Sequence, residues 1–250
     1  MNFQTIWRRL MLAVQFLTVV RVRVADPVTD DELHDSTYFF PVVGLGLGVA
    51  VAMTGWALGC VFTWPVVAAL LVMELAVLTG ALHLDGLADM CDGFYAGRNR
   101  EDTLRIMKDP HIGTMGVVGL VSVLGLKAVA LMNVPAHRGL WVVAAAPVVG
   151  RSVVLLACAM GHYAREEGTG KTYIGQLSRD HAWMALAMAV FGCTMIRQFV
   201  PAALAFVLAG IWLVLFVSYC NRRIGGLTGD TVGALNETTE LIVWLAASCR

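Results

Sequence analysis

WPVVAALLVMELAVLTGALHLDGLADMCDG, residues 64–93, changes character partway along. From Trp64 to Leu84 it is apolar apart from Glu74, His83 and a Thr–Gly pair. Asp85, Asp89 and Asp92 then follow at i, i+4 and i+7. An α-helix needs about 20 mostly apolar residues to cross the hydrocarbon core of a bilayer. The pattern therefore predicts a membrane span over Trp64–Leu84 that runs into an acidic helical turn. On a helix the three aspartates share one face. Their carboxylates repel one another, and near a membrane they also lose hydration. A divalent cation, which takes carboxylate oxygens as ligands, is the simplest remedy. The plain alternative is a solvated helix end with chance acids. Most of the other acids lie in polar loops and do not align.

Composition widens this to the whole chain. Of 250 residues, 58% are hydrophobic and 14% charged, against roughly 25% charged in soluble domains. The mean hydropathy is +0.72. These values predict an all-α, polytopic membrane bundle forming a single domain over residues 1–250. Zero net charge removes any bulk attraction to nucleic acid. The cysteines (Cys60, Cys91, Cys158, Cys193, Cys220, Cys249) form no CxxC pair and sit in or beside apolar segments, so they read as reduced packing residues. Leu10–Val20 has basic flanks but no small-residue cleavage site, so no cleavable signal peptide is evident.

Phe39–Val61, Trp64–Leu84, Gly113–Val134, Leu140–Met160 and Phe199–Tyr219 are apolar enough to span. Ala182–Ile196 is short, and Thr231–Ser248 carries Glu237 and Glu240. Ile6–Val22, flanked by Arg8, Arg9, Arg21 and Arg23, reads as an interfacial helix. The expectation is about 6–7 transmembrane helices plus this N-terminal helix. Thirteen of the 18 Lys and Arg residues then fall on the face with the N-terminus and the long polar loops. Arg138, Arg197 and Arg250 fall opposite, and Lys127 and Arg151 lie inside spans. Such a bias marks the first face as cytoplasmic. A multi-pass protein of the cytoplasmic (inner) membrane with its active site facing the cytoplasm is expected.

The loop FYAGRNREDTLRIMKDPHIGTMG, residues 94–116, follows the acids. It surrounds them with Arg98, Arg100, Arg105, Lys108 and His111. A short helix over Glu101–Lys108, ended by Pro110, is predicted. The bland reading is contact with lipid headgroups. A second loop, HYAREEGTGKTYIGQLSRDH (162–181), contains GTGKT. It is not a Walker A loop, because Arg165 stands where the first glycine belongs and no strand precedes it. Gly168, Gly170 and Lys171 are placed to touch a phosphate, or else belong to a mobile polar loop. In GGLTGDTVGALNETTE (225–240), Asp230 and Glu237 share a helical face, with Glu240 close by. Acids within a span are functional candidates, unless they pair with Arg151 or Lys127. Arg151 and Glu74 are read either as a buried ion pair or as parts of the site. Gly44, Gly46 and Gly48 suit tight helix packing. A dinucleotide loop is excluded there by the lack of a βαβ context.

Acids suited to a metal beside bases suited to phosphate are the parts of a phosphoryl-transfer site. FFPVVGLGLG (39–48), HLDGLADMCDG (83–93), KDPHIGTMG (108–116) and GGLTGDTVGALNE (225–237), in that order, closely resemble the cobalamin synthase family. The family is also called adenosylcobinamide-GDP ribazoletransferase, and the likeness extends over most of the chain. It implies the last joining step of adenosylcobalamin assembly. A hydroxyl of α-ribazole, or of its 5′-phosphate, attacks the diphosphate of adenosylcobinamide-GDP. GMP leaves, and Mg²⁺ is required. It further implies that Asp85, Asp89 and Asp92 hold the metal. Pro110 departs from the family's usual Ser, beside the proposed phosphate loop.

The remaining roles come from the residues alone. Arg98, Arg100, Arg105, Lys108, His111, Arg151, Lys171 and Asp230 are candidates for binding the substrate or its phosphates. Asp92 and Glu237 are candidates for the general base. The lipid bilayer is the other expected partner, and homo-oligomerisation is left open. Two rival classes stand against this reading. A CDP-alcohol phosphotransferase would carry Asp-Gly-x-x-Ala-Arg, whereas here Asp89 follows Ala88; a prenyltransferase would show two separated Asp-rich motifs. An ion-coupled transporter would account for Glu74, Arg151, Glu237 and Glu240, but the chain shows no duplicated halves.

Overall fold

The computed structural model describes residues 3–24 and 27–249; Arg250, counted above by its charge, lies outside them. Eleven α-helices occur among the described residues. They are α1 (Phe3–Leu17), α2 (Asp30–Ser36), α3 (Phe40–Leu58), α4 (Trp64–Leu78), α5 (Leu82–Ala96), α6 (Arg100–Ile106), α7 (Thr114–Met132), α8 (Ala136–Met160), α9 (Arg179–Thr194), α10 (Phe199–Ile224) and α11 (Gly229–Ser248). No strand forms among these residues; the nearest thing is an isolated parallel bridge between Tyr163 and Leu227. The all-α membrane bundle expected from composition is what is found.

The predicted span Trp64–Leu84 is not one helix. α4 stops at Leu78, and α5 leaves it at 90°. Gly80 and Ala81 both have left-handed backbones, with φ of 58° and 55°. That conformation is natural for glycine and costly for alanine. Thr79 Oγ1 donates to Leu75 O at 2.9 Å and Ala81 N to Ala76 O at 2.8 Å, which satisfies the carbonyls the break would orphan. Hydropathy runs smoothly through the bend, so periodicity alone could not place it.

α8 forms the centre of the bundle and is almost wholly buried from Val142 to Cys158. α3 lies directly on it. A Cβ at Gly44 would stand 2.5 Å from Pro147 O, and one at Gly48 would stand 2.5 Å from Ala144 O. Only glycine permits that approach, the small-xxx-small packing of membrane helices. Gly46, grouped with them from sequence, has open space beside it. α11, also largely buried, packs against α5, α8, α7 and α10.

Four helical stretches are long and apolar enough to cross a membrane: Asp30–Leu58 (containing α3), α7, α8 and α10; the bent α4–α5 pair would make a fifth. α9 is too short and α11 too polar to join them by these measures. α1 exposes Phe3 and Trp7 while burying Leu12, Ala13 and Leu17, the two-sided pattern of an interfacial helix. Arg8 pairs with Glu32 at 2.7 Å and Arg9 with Asp35, so both arginines bind α2.

Of the two readings offered for Glu74 and Arg151, the mutual ion pair does not form. Glu74 instead accepts from Thr54 Oγ1 at 2.9 Å. Arg151 reaches Glu240, with Nη1 to Oε1 at 2.6 Å, because α11 and not α4 lies against that part of α8.

Candidate active site

The break after α4 turns α5 across the bundle and carries the acids into α11. A Cβ at Gly86 would meet Asp230 Cα and O at 2.7 Å, and one at Gly233 would meet His83 at 3.1 Å. These two glycines let the backbones of α5 and α11 touch where Asp85 and Asp230 stand. Gly86→Ala should therefore separate the helices, lowering the detergent melting temperature by an amount equivalent to about 1–3 kcal/mol of overpacking. A variant that melts with the wild type would refute this close approach.

Asp85, Gly86, His83, Gly229, Asp230 and Arg151 line a cavity of about 150 Å³, closed on another side by Phe16, Phe40, Thr169 and Tyr173. Asp85 is exposed, whereas Asp89, Asp92 and Asp230 are half-buried. The carboxylates of Asp230, Asp85 and Asp92 all act on Asp89, opposed by Arg165. Arg165 Nη2 donates to Asp230 Oδ2 at 2.8 Å. Its loop is pinned there: Leu227 N donates to His162 O and Ala164 N to Leu227 O, each at 2.8 Å. Gly225 and Gly226, at φ of 77° and 155°, make the turn that brings Leu227 across.

Asp92 is placed differently from its two companions. Gly113 N donates to its Oδ2 at 2.7 Å and Gly116 N to its Oδ1 at 2.8 Å. It therefore caps α7, whose own N-cap residue, Gly113, has no side chain to do so. A carboxylate at a helix N-terminus also meets the positive end of the macrodipole. The glycines of IGTMG are needed for this, because a Cβ at Gly113 or Gly116 would run into the Asp92 carboxylate.

The structure divides the candidates read from sequence. Asp85, Asp89, Asp92 and Asp230 lie near enough for their charges to act on one another; of the four, Asp85 and Asp230 line the cavity, and Arg151 lines it with them. Glu237 lies deeper, bonded to Lys127 Nζ at 2.7 Å, with Glu240 bonded to the same Nζ at 2.8 Å. Arg98, Arg105, Lys108 and His111 are exposed around α6, outside the cavity lining. α6 ends at Ile106, before Lys108. Arg105 donates to Asp102 and holds that carboxyl below its usual range. His111 does the same for Asp109 through its backbone N–H and its ring. Arg100 donates to Ile224 O at 2.9 Å and Ala164 O at 2.7 Å, tying α6 to the ends of two other segments. Lys171 Nζ donates to Glu166 O at 2.9 Å, and the lysine lines a separate groove with Asp30, Asp31 and His34. Of the GTGKT stretch, Thr169 reaches the acid cavity.

Sequence reading missed two residues here. Arg165 appeared only as a mismatch to a phosphate-loop pattern. His83 was read as part of the acidic motif with no role of its own. It is buried, its Nδ1 stands 4.0 Å from Glu237 Oε1, and that nitrogen has no hydrogen-bond partner.

A family model described as cobalamin-5-phosphate synthase matches residues 9–248. The chain is 37% identical over 242 residues to an adenosylcobinamide-GDP ribazoletransferase of Chlorobium phaeovibrioides, covering 95% of this chain and 96% of the relative. It is 39% identical to the protein of that name from Chlorobium chlorochromatii, covering 96% and 95%, and 38% identical to that from Roseiflexus sp., covering 92% and 85%. No solved structure matches it. With the family model spanning nearly its whole length, the chain belongs to the cobalamin-5-phosphate synthase family.

Proposed function

We propose that the chain joins the adenosylcobinamide phosphate of adenosylcobinamide-GDP to α-ribazole or its 5′-phosphate, with GMP as the leaving group. The observation that carries this is that Asp85 and Asp230 line one cavity, with Asp89 within reach of both charges and Arg165 bonded to Asp230: hard oxygen donors beside a fixed guanidinium. In the reaction a ribose hydroxyl forms a bond to the cobinamide-bearing phosphorus. The bond from that phosphorus to the oxygen of GMP breaks, and the hydroxyl proton is released. An acceptor that keeps its 5′-phosphate must attack through another ribose hydroxyl.

The donor set suits Mg²⁺. Among the described residues no three of these acids bring oxygens within 4.8 Å of one another. Mg²⁺ needs no such cage, since it prefers one or two carboxylates completed by water and substrate phosphate. Asp85 and Asp89 would hold it, and when bound it neutralises charge on the diphosphate. Asp92 supports the metal pair by fixing α7 against α5. Arg165 is the phosphate ligand: its planar fork suits a phosphate, and leaving Asp230 for the diphosphate frees that carboxylate to take the hydroxyl proton. The two bases suggested by sequence are less suited. Both oxygens of Asp92 already accept backbone N–H groups, and Glu237 is held by Lys127. The acid cavity faces the cytoplasm of the inner membrane, a reading supported by the Lys and Arg bias.

Inside-out membrane vesicles given both substrates and Mg²⁺ should release GMP, and right-side-out vesicles should not until permeabilised. Release that needs no acceptor, or equal release from intact vesicles of both kinds, would count against the reading. In the same assay Arg165→Lys should raise KM for the GDP-activated substrate by about ten-fold, the value of one charge-assisted hydrogen bond. An unchanged KM would remove Arg165 from the site.

A further inference from the structure

Away from the acid cavity, α2 and α9 meet in a second cluster of metal-ligand type. His34 and Asp35 come from α2, and His181 is the third residue of α9. One ligand atom from each lies within 4.8 Å of the other two. We propose that these three side chains bind a borderline divalent transition metal, Zn²⁺ in particular, with water as a further ligand.

Each side chain already has an outer partner that leaves its remaining atom for the metal. His34 Nε2 lies 3.3 Å from Gln176 O. A carbonyl only accepts, so the ring proton belongs on Nε2, and Nδ1 presents a lone pair. That lone pair faces Asp35 Oδ1 at 3.1 Å. Two acceptors at this distance repel unless a cation, a proton or a metal ion lies between them. Asp35 Oδ2 is held by Arg9, which orients the carboxylate with Oδ1 inward. His181 Nδ1 lies 2.8 Å from Ser178 Oγ.

The histidine is only 2% exposed, and its Nε2 has no hydrogen-bond partner. Without metal, Nδ1 accepts the Ser178 N–H at 3.3 Å, which puts the ring proton on Nε2 and leaves a buried donor without a partner, a costly arrangement. A metal at Nε2 would displace that proton to Nδ1, where Ser178 Oγ stands ready to accept it. The His34 and His181 rings lie 4.8 Å apart by centroid, and Tyr38 stacks on His181 at 3.6 Å, fixing its plane. Metal-bound histidines commonly donate their other N–H to an oxygen in this way.

The donor set names the metal class. Two imidazoles and a carboxylate favour Zn²⁺ and its neighbours over Mg²⁺, which prefers oxygen alone. Metal–nitrogen bonds of about 2.0–2.1 Å call for closer donors than the free cluster shows. The side chains of His34 and Asp35, a quarter exposed, have room to close the gap. The adjoining groove, lined by Asp30, Asp31, Lys171 and Gln176, admits water for the open position. Such a metal would join α2 to α9. Because α2 is held to α1 through Arg8 and Arg9, it would also brace α1, whose Phe16 and Leu17 wall the acid cavity.

The test is Zn²⁺ binding to the full-length protein in detergent, stripped by chelator and then equilibrated with Zn²⁺ in excess Mg²⁺. Wild-type protein should retain about one Zn²⁺ per chain, as a single three-ligand site requires, and should melt at a higher temperature with Zn²⁺ than without. His34→Ala and His181→Ala should each weaken binding by more than the about 10–100-fold lost with an outer partner, and should abolish the thermal shift. Asp85→Asn should keep both. Co²⁺ in place of Zn²⁺ should give a tetrahedral absorption band in wild type and Asp85→Asn alone. No retained zinc in the wild type, or the same zinc in a folded His34→Ala/His181→Ala protein, would overturn the proposal.

Discussion

Asp85→Asn and Asp89→Asn should each lower turnover by at least about 100-fold, and chelation of divalent cations should abolish it. Asparagine keeps the shape of the side chain and removes its charge. Asp85 is exposed and Asp89 half-buried in a helix whose packing rests on Leu84, Leu87, Ala88 and Met90. Neither variant should lower the melting temperature appreciably, and losing one of several mutually repelling acids should, if anything, favour the metal-free fold. Steady-state GMP release across a Mg²⁺ titration separates the possibilities. A variant that regains full turnover at high Mg²⁺ has lost metal affinity alone. One with normal turnover at low Mg²⁺ would remove that aspartate from the site.

Glu240→Gln should have the opposite signature. Glu240 joins two buried cations, with Oε2 to Lys127 Nζ at 2.8 Å and Oε1 to Arg151 Nη1 at 2.6 Å. Asn236 Nδ2 adds a hydrogen bond to Oε1 at 3.1 Å. All four residues are buried: Arg151 is 1% exposed, Lys127 and Glu240 are 3%, and Asn236 is 0%. With Glu240 neutral, two cations share the one remaining carboxylate, Glu237. Breaking a buried pair in this way costs about 3–5 kcal/mol, which is enough to unfold a marginal protein. Glu237→Gln should cost less, because Glu240 still serves both cations. Neutralising Arg151 together with Glu240 should recover much of the lost melting temperature, since it removes the stranded charge. A Glu240→Gln protein that melts with the wild type but has lost turnover would show the network to be part of the chemistry.

What was legible in the sequence follows from what each signal measures. Hydropathy marks which segments are buried in lipid or protein, and it located α3, α7, α8 and α10 closely. It carries no information about direction. The turn at Gly80–Ala81 therefore passed inside an unbroken apolar run, although Thr79–Gly80 was its visible trace. Helical spacing put Asp85, Asp89 and Asp92 on one face correctly. It could not tell that Asp92 meets the amides of Gly113 and Gly116, because that contact depends on where α7 starts in space. The charges of 98–111 looked close to the acids because they follow them in the chain. Most of them are exposed or paired locally, and Arg165 arrives from a distant loop instead. The partner of Arg151 stayed open for the same reason: Glu74 and Glu240 are equally plausible in one dimension, and only packing chooses between them.

The capping of α7 by Asp92 bears on how a genetic screen of this chain would read. Asp92 stands inside the acidic motif, so an inactivating substitution there looks like loss of a metal ligand. Asparagine at that position keeps one acceptor oxygen for the two amides of Gly113 and Gly116 and turns an NH₂ group toward the other. The resulting defect begins as a frayed first turn of α7 and reaches the chemistry only through the shifted position of its neighbours. Complementation in a growth assay would score Asp92 and Asp85 alleles alike. Temperature-sensitive growth should set them apart, with Asp92 alleles recovering on cooling and Asp85 alleles remaining null.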